Sequence, residues 1–272
     1  MTDVIDVALA EDVGEGDLTT RAVVPEDAQA KARISQKAPG VIAGLRVAES
    51  VFARVDSELV FVMHCPQGMW REAGAVAEIS GSAASIVTAE RVALNFLGHL
   101  SGVATLTARY VRAVDGTGAR ILDTRKTMPG MRALEKEAVR DGGGESHRSG
   151  LYDAILVKEN HAKIAGGVGE AARRAVETAP SGVMVEVECA TLDELREALD
   201  AGVARILLDN MTTPELREAV ELSGGRAELE ASGGITLETV REVAETGVDY
   251  ISVGALTHSA PALDLSLLLE PL

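Results

Sequence analysis

From about residue 119 onward, short apolar runs alternate with longer segments of helical periodicity. The runs span residues 120–122, 154–157, 183–187, 205–208, 227–229 and 250–253. Helical segments such as 191–201 and 237–246 lie between them. Regular strand–helix alternation predicts a parallel sheet covered by helices. Because there are six such units and no dinucleotide-type glycine fingerprint, the pattern favours a closed α/β barrel over an open doubly wound sheet.

Three threonines stand where helices of this region are expected to begin. Thr191, Thr213 and Thr236 are predicted N-caps, because a threonine hydroxyl accepts a hydrogen bond from a free backbone N–H at the start of a helix. Gly202 and Gly247 stand where two of these helices are expected to stop, since glycine readily adopts the left-handed conformation after a helix.

The first hundred residues are organised differently. Strand-like runs at 60–63 and 76–79 lie among turns rich in glycine and proline, which is typical of an α+β module with a small sheet. Residues 85–114 then show leucines at helical spacing. No linker rich in proline, glycine or serine separates the two parts, so the sequence predicts that they pack closely.

Composition limits the partners of the chain. Apolar residues make up 46% and aromatic residues 3%, so the core is expected to consist mostly of Ala, Val, Leu and Ile. The net charge is -16, from 26 basic and 42 acidic residues. Such a surface argues against nucleic acid or an anionic membrane as the main partner. An anionic substrate therefore requires a local basic pocket.

The cysteines and the amino-terminal sequence bear on whether the protein is secreted or stays inside the cell. Cys65 and Cys189 fit no metal-ligand spacing; a disulfide is possible, but two buried, reduced thiols are expected in an intracellular chain. The acidic amino terminus lacks the basic start and apolar stretch of a signal peptide. No run of about 18 or more apolar residues indicates a membrane span. The sequence predicts a cytoplasmic protein.

Polar residues follow every predicted strand of the second half. These strand ends are 123–126, 158–161, 188, 209–210, 232–234 and 254–255. In an α/β barrel the carboxyl ends of the strands form the active-site face. A single polar strand end is explained by the loop that follows it, but all six together indicate a small-molecule site.

The chemistry of these residues falls into three groups. The basic group comprises Arg125, Lys126, His147, Arg148 and Lys158. It suits an anion, because arginine offers a fork that matches carboxylate or phosphate. Glu188 and Asp209 suit a hydrated magnesium ion or ribose hydroxyls. The segments 232–234 and 252–255 follow the last two strands, where barrels often bind phosphate through backbone N–H groups.

Several of these residues also have a simpler interpretation when they are taken one at a time. Gly142–Gly144 is most often a flexible loop, and His147 by itself fits a surface histidine. Asp209 fits the cap of the following helix, and Arg91 fits a solvated or ion-paired residue of the long helix. All of these residues together are therefore stronger evidence for a substrate site than any one of them alone.

Longer motifs surround these residues. They are 123–130 (DTRKTMPG), 134–136 (LEK), 142–144 (GGG), 147–151 (HRSGL) and 156–161 (LVKENH), together with 11–12, 16–20, 89–91, 100–102, 186–188, 208–211 and 232–235. In this order they closely resemble the quinolinate phosphoribosyltransferases, also called nicotinate-nucleotide pyrophosphorylases (carboxylating). The resemblance runs nearly end to end.

The resemblance implies an architecture and an assembly. It implies an amino-terminal α/β sandwich domain over residues 1–100, joined by the tail 262–272, and an incomplete α/β barrel of parallel strands over residues 101–261. It also implies a homodimer, or a higher oligomer built from it, in which Arg91 reaches into the partner's site.

The resemblance further implies an activity, with magnesium as the cofactor. The phosphoribosyl group of phosphoribosyl pyrophosphate is transferred to quinolinate with decarboxylation, giving nicotinate mononucleotide, pyrophosphate and CO2 for NAD biosynthesis. The residues implied to bind quinolinate are Arg91, Arg125, His147, Arg148 and Lys158. Lys126 would lie between the two substrates, and Glu188 and Asp209 would engage ribose and magnesium-pyrophosphate. The implied catalytic set is Lys126, Lys158, Glu188 and Asp209.

The remaining residues implied to bind substrate lie at strand ends. They are Thr124 and, for the 5-phosphate, Ser232, Gly233, Gly234, Ser252, Val253 and Gly254.

Two other functions compete with this one. A divergent relative associated with molybdenum-transport operons shares the Thr-Arg-Lys sequence, the glycine triplet and the His-Arg pair. Residues 156–161 fit the quinolinate enzymes better, because Lys158 is expected to bind the acid. A non-enzymatic binding or regulatory module would lack at least one substrate group, and all the expected groups are present.

Overall fold

The computed structural model describes residues 3–272. The helices are α1 (Val4–Val13), α2 (Leu18–Val23), α3 (Leu45–Val55), α4 (Ala83–Ala113), α5 (Arg132–Asp141), α6 (Glu159–Ala165), α7 (Val168–Thr178), α8 (Leu192–Asp200), α9 (Thr213–Ser223), α10 (Val240–Ala244) and α11 (Ala255–His258). The strands are β1 (Gln29–Gln36), β2 (Gly40–Val41), β3 (Val60–Met63), β4 (Trp70–Arg71), β5 (Gly74–Ser82), β6 (Arg120–Leu122), β7 (Ile155–Val157), β8 (Val185–Cys189), β9 (Arg205–Asp209), β10 (Glu228–Ser232), β11 (Tyr250–Ser252) and β12 (Leu265–Pro271).

The chain divides into two compact units. The first contains the residues up to Ala108 with Met128–Gly143 and Ser259–Leu272, and the second contains Arg109–Thr127 and Gly144–His258. The domain limits inferred from the sequence stay a prediction. Among the described residues, none of the helices combines the length and apolar character that a membrane crossing requires.

The first unit is built around a four-stranded antiparallel sheet in the order β12-β1-β5-β3. Residues of β1 alternate between exposed and buried, so Ala30, Ala32 and Ile34 point into the core while their neighbours point outward. On this core lies α3, whose Phe52 ring centre is 5.8 Å from that of Phe61 on β3. The carboxyl-terminal strand β12 completes the sheet by pairing with β1.

The second unit is a parallel barrel of six strands in the order β6-β11-β10-β9-β8-β7. Its outward-facing residues, such as Val187, Ile206 and Ile251, are fully buried. The two end strands, β6 and β7, do not pair with each other in the described structure, so the barrel is incomplete, as the resemblance implied. The closed barrel favoured by the strand–helix pattern alone is wrong.

A short segment runs beside β6 at the gap in the barrel. Glu145 forms an isolated parallel bridge with Leu122, donates its N–H to the carbonyl of Ile121 (2.8 Å) and accepts from the N–H of Asp123 (3.1 Å). These hydrogen bonds occupy the edge of β6 that strand β7 would use in a closed barrel. They also fix the start of the segment that carries His147.

The interior of this barrel contains charged and polar side chains. Along β10, Glu228, Glu230 and Ser232 alternate with buried Leu229 and Ala231. Because successive side chains of a strand point to opposite faces, the apolar residues face the helices and the polar ones share the interior. The interior therefore carries charge from its amino-terminal end to its carboxyl-terminal end.

Local helix signals are confirmed in part. Thr191 caps α8, where it accepts from the N–H of Glu194 (3.2 Å) and forms a capping box with it. The predicted cap Thr213 is wrong by one residue, because Thr212 forms the capping box with Glu215.

The cap predicted at Thr236 is also wrong. The Thr239 hydroxyl accepts from the N–H of Thr236 (3.0 Å), so residues 236–239 form a turn, and α10 starts only after Thr239. A hydroxyl three residues further along the chain therefore decides where this helix begins.

The two cysteines are both free thiols. Cys189 is buried as predicted, whereas Cys65 is only partly buried, which corrects the expectation for that residue. Burial raises the pKa of both thiols, so neither is poised as a thiolate.

Candidate active site

A cavity of about 360 Å³ opens among the carboxyl ends of the barrel strands. Most residues singled out from the sequence for this face line it: Thr124, Arg125, Lys126, His147, Arg148, Lys158, Asp209, Ser232 and Ser252. Lys126 and Lys158 are exposed, whereas the two arginines are partly buried. The concentration of positive charge in one cavity of an acidic chain creates a site for an anion.

The two arginines of the cavity influence each other. Burial lowers the pKa of the Arg148 guanidinium, and the nearby positive charge of Arg125 lowers that pKa further. Arg148 donates one hydrogen bond to the carbonyl of Ala154 (3.3 Å), which orients its guanidinium. Two cations held close together attract a ligand with two anionic groups, because each guanidinium pairs with one of them.

Lys126 is held through its backbone at the rim of the cavity. Its N–H donates to the Thr124 hydroxyl (3.1 Å), and its carbonyl accepts from the Thr257 hydroxyl (2.8 Å). A Cβ on Gly254 would lie 3.0 Å from the Lys126 side chain, so glycine at this position leaves room for the lysine. The lysine backbone is therefore fixed while its ammonium group remains exposed to a ligand.

Lys158 and Glu188 form an ion pair across β7 and β8. Lys158 is the residue that precedes α6, and its side chain is about half exposed, whereas that of Glu188 is 14% exposed. The Glu188 carboxylate also lies 3.4 Å from the N–H of Glu159. An incoming anion at Lys158 therefore competes with Glu188 for the ammonium group.

Acidic residues line a second cavity of about 240 Å³, which shares Asp209 with the first. Glu159, Glu188 and Glu194 line it together with Asp209. Asp209 lies at the end of β9 and accepts from the side-chain amide of Asn210 (2.7 Å). Carboxylate oxygens at the ends of two neighbouring strands suit a hard divalent cation or hydroxyl groups.

The glycine-containing strand ends lie next to each other. Ser232 pairs with Ser252 in the register of β10 and β11. Gly233 has a φ of +104°, and a Cβ there would lie 2.2 Å from the side-chain oxygen of Asn210, so no other residue fits without rearrangement. The Val253 N–H donates to the carbonyl of Leu122 (3.0 Å) and is therefore engaged within the barrel.

His147 lines the cavity and is nevertheless buried, which excludes the surface-histidine alternative. Its Nε2 lies 2.9 Å from Glu186 Oε2 and 3.5 Å from Glu230 Oε2. Its Nδ1 accepts from the N–H of Arg148 (2.7 Å), and its own N–H donates to Asp123 (2.8 Å). The backbone N–H of Arg148 thus engages Nδ1, while Nε2 faces the two buried carboxyl groups.

Glu186 and Glu230 are the functional candidates that the sequence interpretation missed. Both side chains are fully buried. Burial, and the negative charge of Glu186 next to it, raise the pKa of Glu230 to about 8. The missed signal was the period-two placement of Glu186 and Glu188 on one strand and of Glu228, Glu230 and Ser232 on another.

Some predicted site residues lie elsewhere in the described structure. Glu188 lines only the second cavity, and Gly233, Gly234, Val253 and Gly254 do not line the first. Arg91 is exposed on α4 in the first unit. Gly142 and Gly144 are buried, which argues against a simple flexible loop at the triplet. The roles of all these residues in substrate binding stay predictions.

Comparison with known families gives two consecutive matches. Residues 17–101 match the N-terminal domain of quinolinate phosphoribosyl transferase, and residues 103–268 match its C-terminal domain. The chain is 44% identical to a mitochondrial quinolinate phosphoribosyltransferase [decarboxylating] 2b from Nicotiana tabacum, over 99% of this chain and 82% of that protein. It is 43% identical to a probable nicotinate-nucleotide pyrophosphorylase [carboxylating] from Bacillus subtilis, over 94% and 89%.

A solved structure gives the same result. The crystal structure of NadC from Streptococcus pyogenes superposes with a TM-score of 0.94 at 44% identity, covering 98% of this chain and 95% of that one. Sequence and fold therefore agree along nearly the whole chain.

Proposed function

The chain belongs to the quinolinate phosphoribosyltransferase family, and we propose that it transfers the phosphoribosyl group of phosphoribosyl pyrophosphate to quinolinate with decarboxylation. The products are nicotinate mononucleotide, pyrophosphate and CO2. The observation that carries the proposal is the cavity that brings Arg125, Arg148, Lys126 and Lys158 together in a chain of net charge -16. Quinolinate carries two carboxylates on adjacent ring carbons, and this cavity offers a guanidinium for each.

Binding and orientation account for most of what the side chains do. Arg125 and Arg148 hold the dicarboxylate by charge-assisted hydrogen bonds, which fixes the direction of the pyridine nitrogen. Lys126, with its fixed backbone and exposed ammonium group, lies between quinolinate and the phosphoribosyl donor. Ser232 and Ser252, at the ends of β10 and β11, face the phosphate of the donor.

The reaction needs no strong base from the protein. The nitrogen lone pair forms a bond to the anomeric carbon of ribose while the carbon–oxygen bond to pyrophosphate breaks, and that electron pair leaves with pyrophosphate. The bond to the adjacent carboxylate then breaks, and its electron pair stays on the ring carbon, where the quaternised nitrogen stabilises it. A proton from water completes that carbon as CO2 leaves. Preorganised positive charge around the leaving group lowers the barrier.

The acidic edge of the site suits magnesium. Glu188 and Asp209 are partly buried carboxylates on neighbouring strands that line one cavity, and oxygen donors of this kind hold a hydrated magnesium ion. When bound, the ion supplies positive charge to the pyrophosphate leaving group. Lys158 pairs with Glu188. A carboxylate of the acid at Lys158 would compete for the ammonium group and leave Glu188 available to hold the ion.

We further propose that the active unit is a homodimer in which Arg91 completes the quinolinate site of the partner, with larger assemblies of such dimers as an extension. The support is the exposure of Arg91 on α4 and its place in the family motif 89–91. Mixing Arg91→Ala with Lys126→Ala subunits tests it. Recovered activity supports a shared site, and no recovery above the single variants contradicts it. A cytoplasmic location stays a prediction.

The deciding experiment is product analysis with phosphoribosyl pyrophosphate and magnesium, offering quinolinate, nicotinate and nicotinamide separately. Nicotinate mononucleotide and CO2 from quinolinate alone are expected, because only quinolinate presents two carboxylates to the arginine pair. Turnover of nicotinate alone would overturn the substrate. Absence of turnover with all three would favour the divergent relative associated with molybdenum transport.

A further inference from the structure

Asn210 lies in the connection between β9 and α9 and has a left-handed backbone conformation. Its φ is +56°, and among residues 3–272 it is the one non-glycine residue with a positive φ. Asparagine tolerates this conformation better than most residues with a Cβ, but such conformations are uncommon and cluster at active sites, where the surrounding structure holds them. Asn210 lines neither of the two cavities of the barrel, so the conformation serves a purpose other than direct contact with a ligand there.

The backbone of Asn210 joins the ends of two strands. Its N–H donates to the carbonyl of Ser232 (2.8 Å). Asp209 is the register partner of Ser232 in the parallel pairing of β9 with β10, so this hydrogen bond fixes the pairing at the last position of both strands. The Asp209 carboxylate is thereby attached at a fixed place beside the end of β10.

The side chain of Asn210 contacts both strand ends as well. Its amide nitrogen donates to Asp209 Oδ2 (2.7 Å), and a carboxylate oxygen is an acceptor, which assigns the nitrogen to that side. The amide oxygen lies on the side of Gly233, where a Cβ would approach it to 2.2 Å. Glycine at position 233 therefore leaves the space that the amide occupies, and the amide is held from both sides.

These contacts connect two parts of the donor site. Asp209 lines both cavities, and Ser232 lines the basic one. Under the proposed function, Asp209 serves the magnesium-pyrophosphate end of phosphoribosyl pyrophosphate, and the segment 232–234 serves the 5-phosphate at the other end. A residue bonded to both strand ends sets the distance and direction between these groups before the ligand arrives, which lowers the entropic cost of binding.

We propose that Asn210 is a positioning residue for the phosphoribosyl donor: its backbone N–H joins the ends of β9 and β10, and its side-chain amide fixes the direction of the Asp209 carboxylate. It acts through Asp209 rather than by touching a substrate. This inference rests on the proposed function for its kinetic readout, whereas its structural and binding readouts require no turnover.

Two replacements separate the side-chain amide from the backbone conformation. Asn210→Gly keeps the left-handed conformation without steric cost and removes the amide. Loss of a hydrogen bond to a carboxylate should raise KM for phosphoribosyl pyrophosphate about tenfold, while KM for quinolinate stays within about twofold. Asn210→Ala should raise the same KM equally and should also lower the melting temperature by about 2–4 °C, because a Cβ is strained in this conformation.

The pattern of these constants decides the role. An unchanged KM for phosphoribosyl pyrophosphate in Asn210→Gly would overturn the proposal. Equal rises in both KM values would overturn it too, because they would indicate general damage to the site.

A third replacement tests the donor directly. Asn210→Asp keeps the shape of the side chain but places a carboxylate instead of an N–H against Asp209, so KM for phosphoribosyl pyrophosphate should rise at least as much as in Asn210→Gly. The matched control is Gln29→Glu, which makes the same change from amide to carboxylate at the exposed start of β1 and should leave all constants unchanged. An Asn210→Asp variant that behaves like the control contradicts the proposal.

The structural readout is the mobility of the Asn210 amide, measured by nitrogen-15 relaxation. The chain has three asparagines, so asparagine labelling gives three side-chain amides, and Asn210→Gly identifies the one of interest. We expect an order parameter of about 0.8 in the unaltered protein and below about 0.6 in Asp209→Ala, which lacks the acceptor. A mobile amide in the unaltered protein overturns the proposal even if every Asn210 variant fails to fold.

The binding readout is titration calorimetry with magnesium pyrophosphate in the absence of quinolinate. Kd should be about tenfold higher for Asn210→Gly than for the unaltered protein. Equal affinities, or no binding by the unaltered protein, would overturn the role of Asn210 toward the donor.

These readouts separate the proposal from the proposed function. If the unaltered protein does not turn over quinolinate, the proposed function falls, while the order parameter and the pyrophosphate affinity still decide the role of Asn210. If quinolinate is turned over but the amide is mobile, only the positioning proposal falls.

Discussion

The guanidinium of Arg205 lies 4.0 Å from the centre of the Tyr250 ring. Arg120 lies 4.1 Å from the same centre, and the Tyr250 hydroxyl accepts from Arg120 and donates to Glu228 (3.2 Å). All four residues begin strands of the barrel, at the end away from the substrate cavity. Cation–π contacts thus hold the amino-terminal end of the barrel together.

Two replacements of Tyr250 should therefore reduce the stability of the protein by different amounts. Tyr250→Phe keeps both cation–π contacts and loses only the hydrogen bonds of the hydroxyl, so the free energy of unfolding should fall by about 1 kcal/mol. Tyr250→Leu loses the ring as well and should cost about 2–4 kcal/mol. Urea unfolding measures both, and equal losses for Phe and Leu would show that the cation–π contacts contribute nothing.

Arg148→Ala should weaken quinolinate binding selectively. A charge-assisted hydrogen bond to a carboxylate contributes about 1.5–3 kcal/mol, so Kd for quinolinate should rise by roughly 10- to 100-fold. Titration calorimetry measures this, with exposed Arg173→Ala on α7 as the control that also removes one positive charge. Unchanged quinolinate affinity in Arg148→Ala would remove Arg148 from the binding site.

Gly233→Ala should disturb the site more than its backbone conformation alone explains. A Cβ at Gly233 meets the Asn210 side chain at 2.2 Å, whereas one at Gly225, which also has a positive φ of +77°, meets nothing within 4 Å. The strain of a left-handed alanine is common to both variants, at about 1 kcal/mol. Gly233→Ala should therefore lose more stability and more activity than Gly225→Ala in thermal unfolding and rate assays.

Activity should depend on magnesium through Asp209. Removing divalent ions with a chelator should abolish turnover, and adding magnesium should restore it. In Asp209→Asn the magnesium concentration for half-maximal rate should rise by about tenfold or more, because a carboxylate ligand is lost. Asp193→Asn, on the exposed surface of α8, is the control. A magnesium dependence identical to that of the unaltered protein would exclude Asp209 from the metal site.

Stability should decrease as the pH rises from about 5 to 9. The pKa of Glu230 is raised from 4.5 to about 8 in the folded protein, because its interior position and Glu186 disfavour the charged form. A carboxyl group with a raised folded-state pKa contributes stability fully below pH 4.5, and this contribution is lost as the pH passes through 8. The change should amount to a few kcal/mol, since each tenfold change in an ionisation constant corresponds to about 1.4 kcal/mol.

Chemical denaturation across this pH range measures the effect. Glu230→Gln cannot ionise, so its stability should vary less with pH than that of the unaltered protein. If the two pH profiles run parallel, Glu230 does not carry the raised pKa.

Local sequence determined much of the fold. The strands at 120–122 and 60–63 have the predicted limits, and α4 begins within two residues of its predicted start. Hydrophobic periodicity and capping residues act over a few positions, so the elements that they favour can be predicted from the sequence. The cap at Thr236 failed because a neighbouring hydroxyl, that of Thr239, formed a competing turn.

The sequence also determined which residues gather at the strand ends. Arg125 and Lys158 follow strands of a parallel barrel, and geometry brings such positions to one face whatever the details of packing. That is why the sequence alone was enough to infer that the ligand is an anion.

Only the tertiary structure decided that the barrel opens between β6 and β7, that Lys158 pairs with Glu188, and that His147 is buried next to Glu186 and Glu230. These relationships join residues far apart along the chain, such as His147 and Glu230, through the stagger and curvature of the barrel. Side-chain alternation shows which face of a strand a residue occupies, but not which residue of another strand it meets there. Those residues lie only a few ångströms apart, so their charges interact strongly, and these interactions determine the electrostatics of the site.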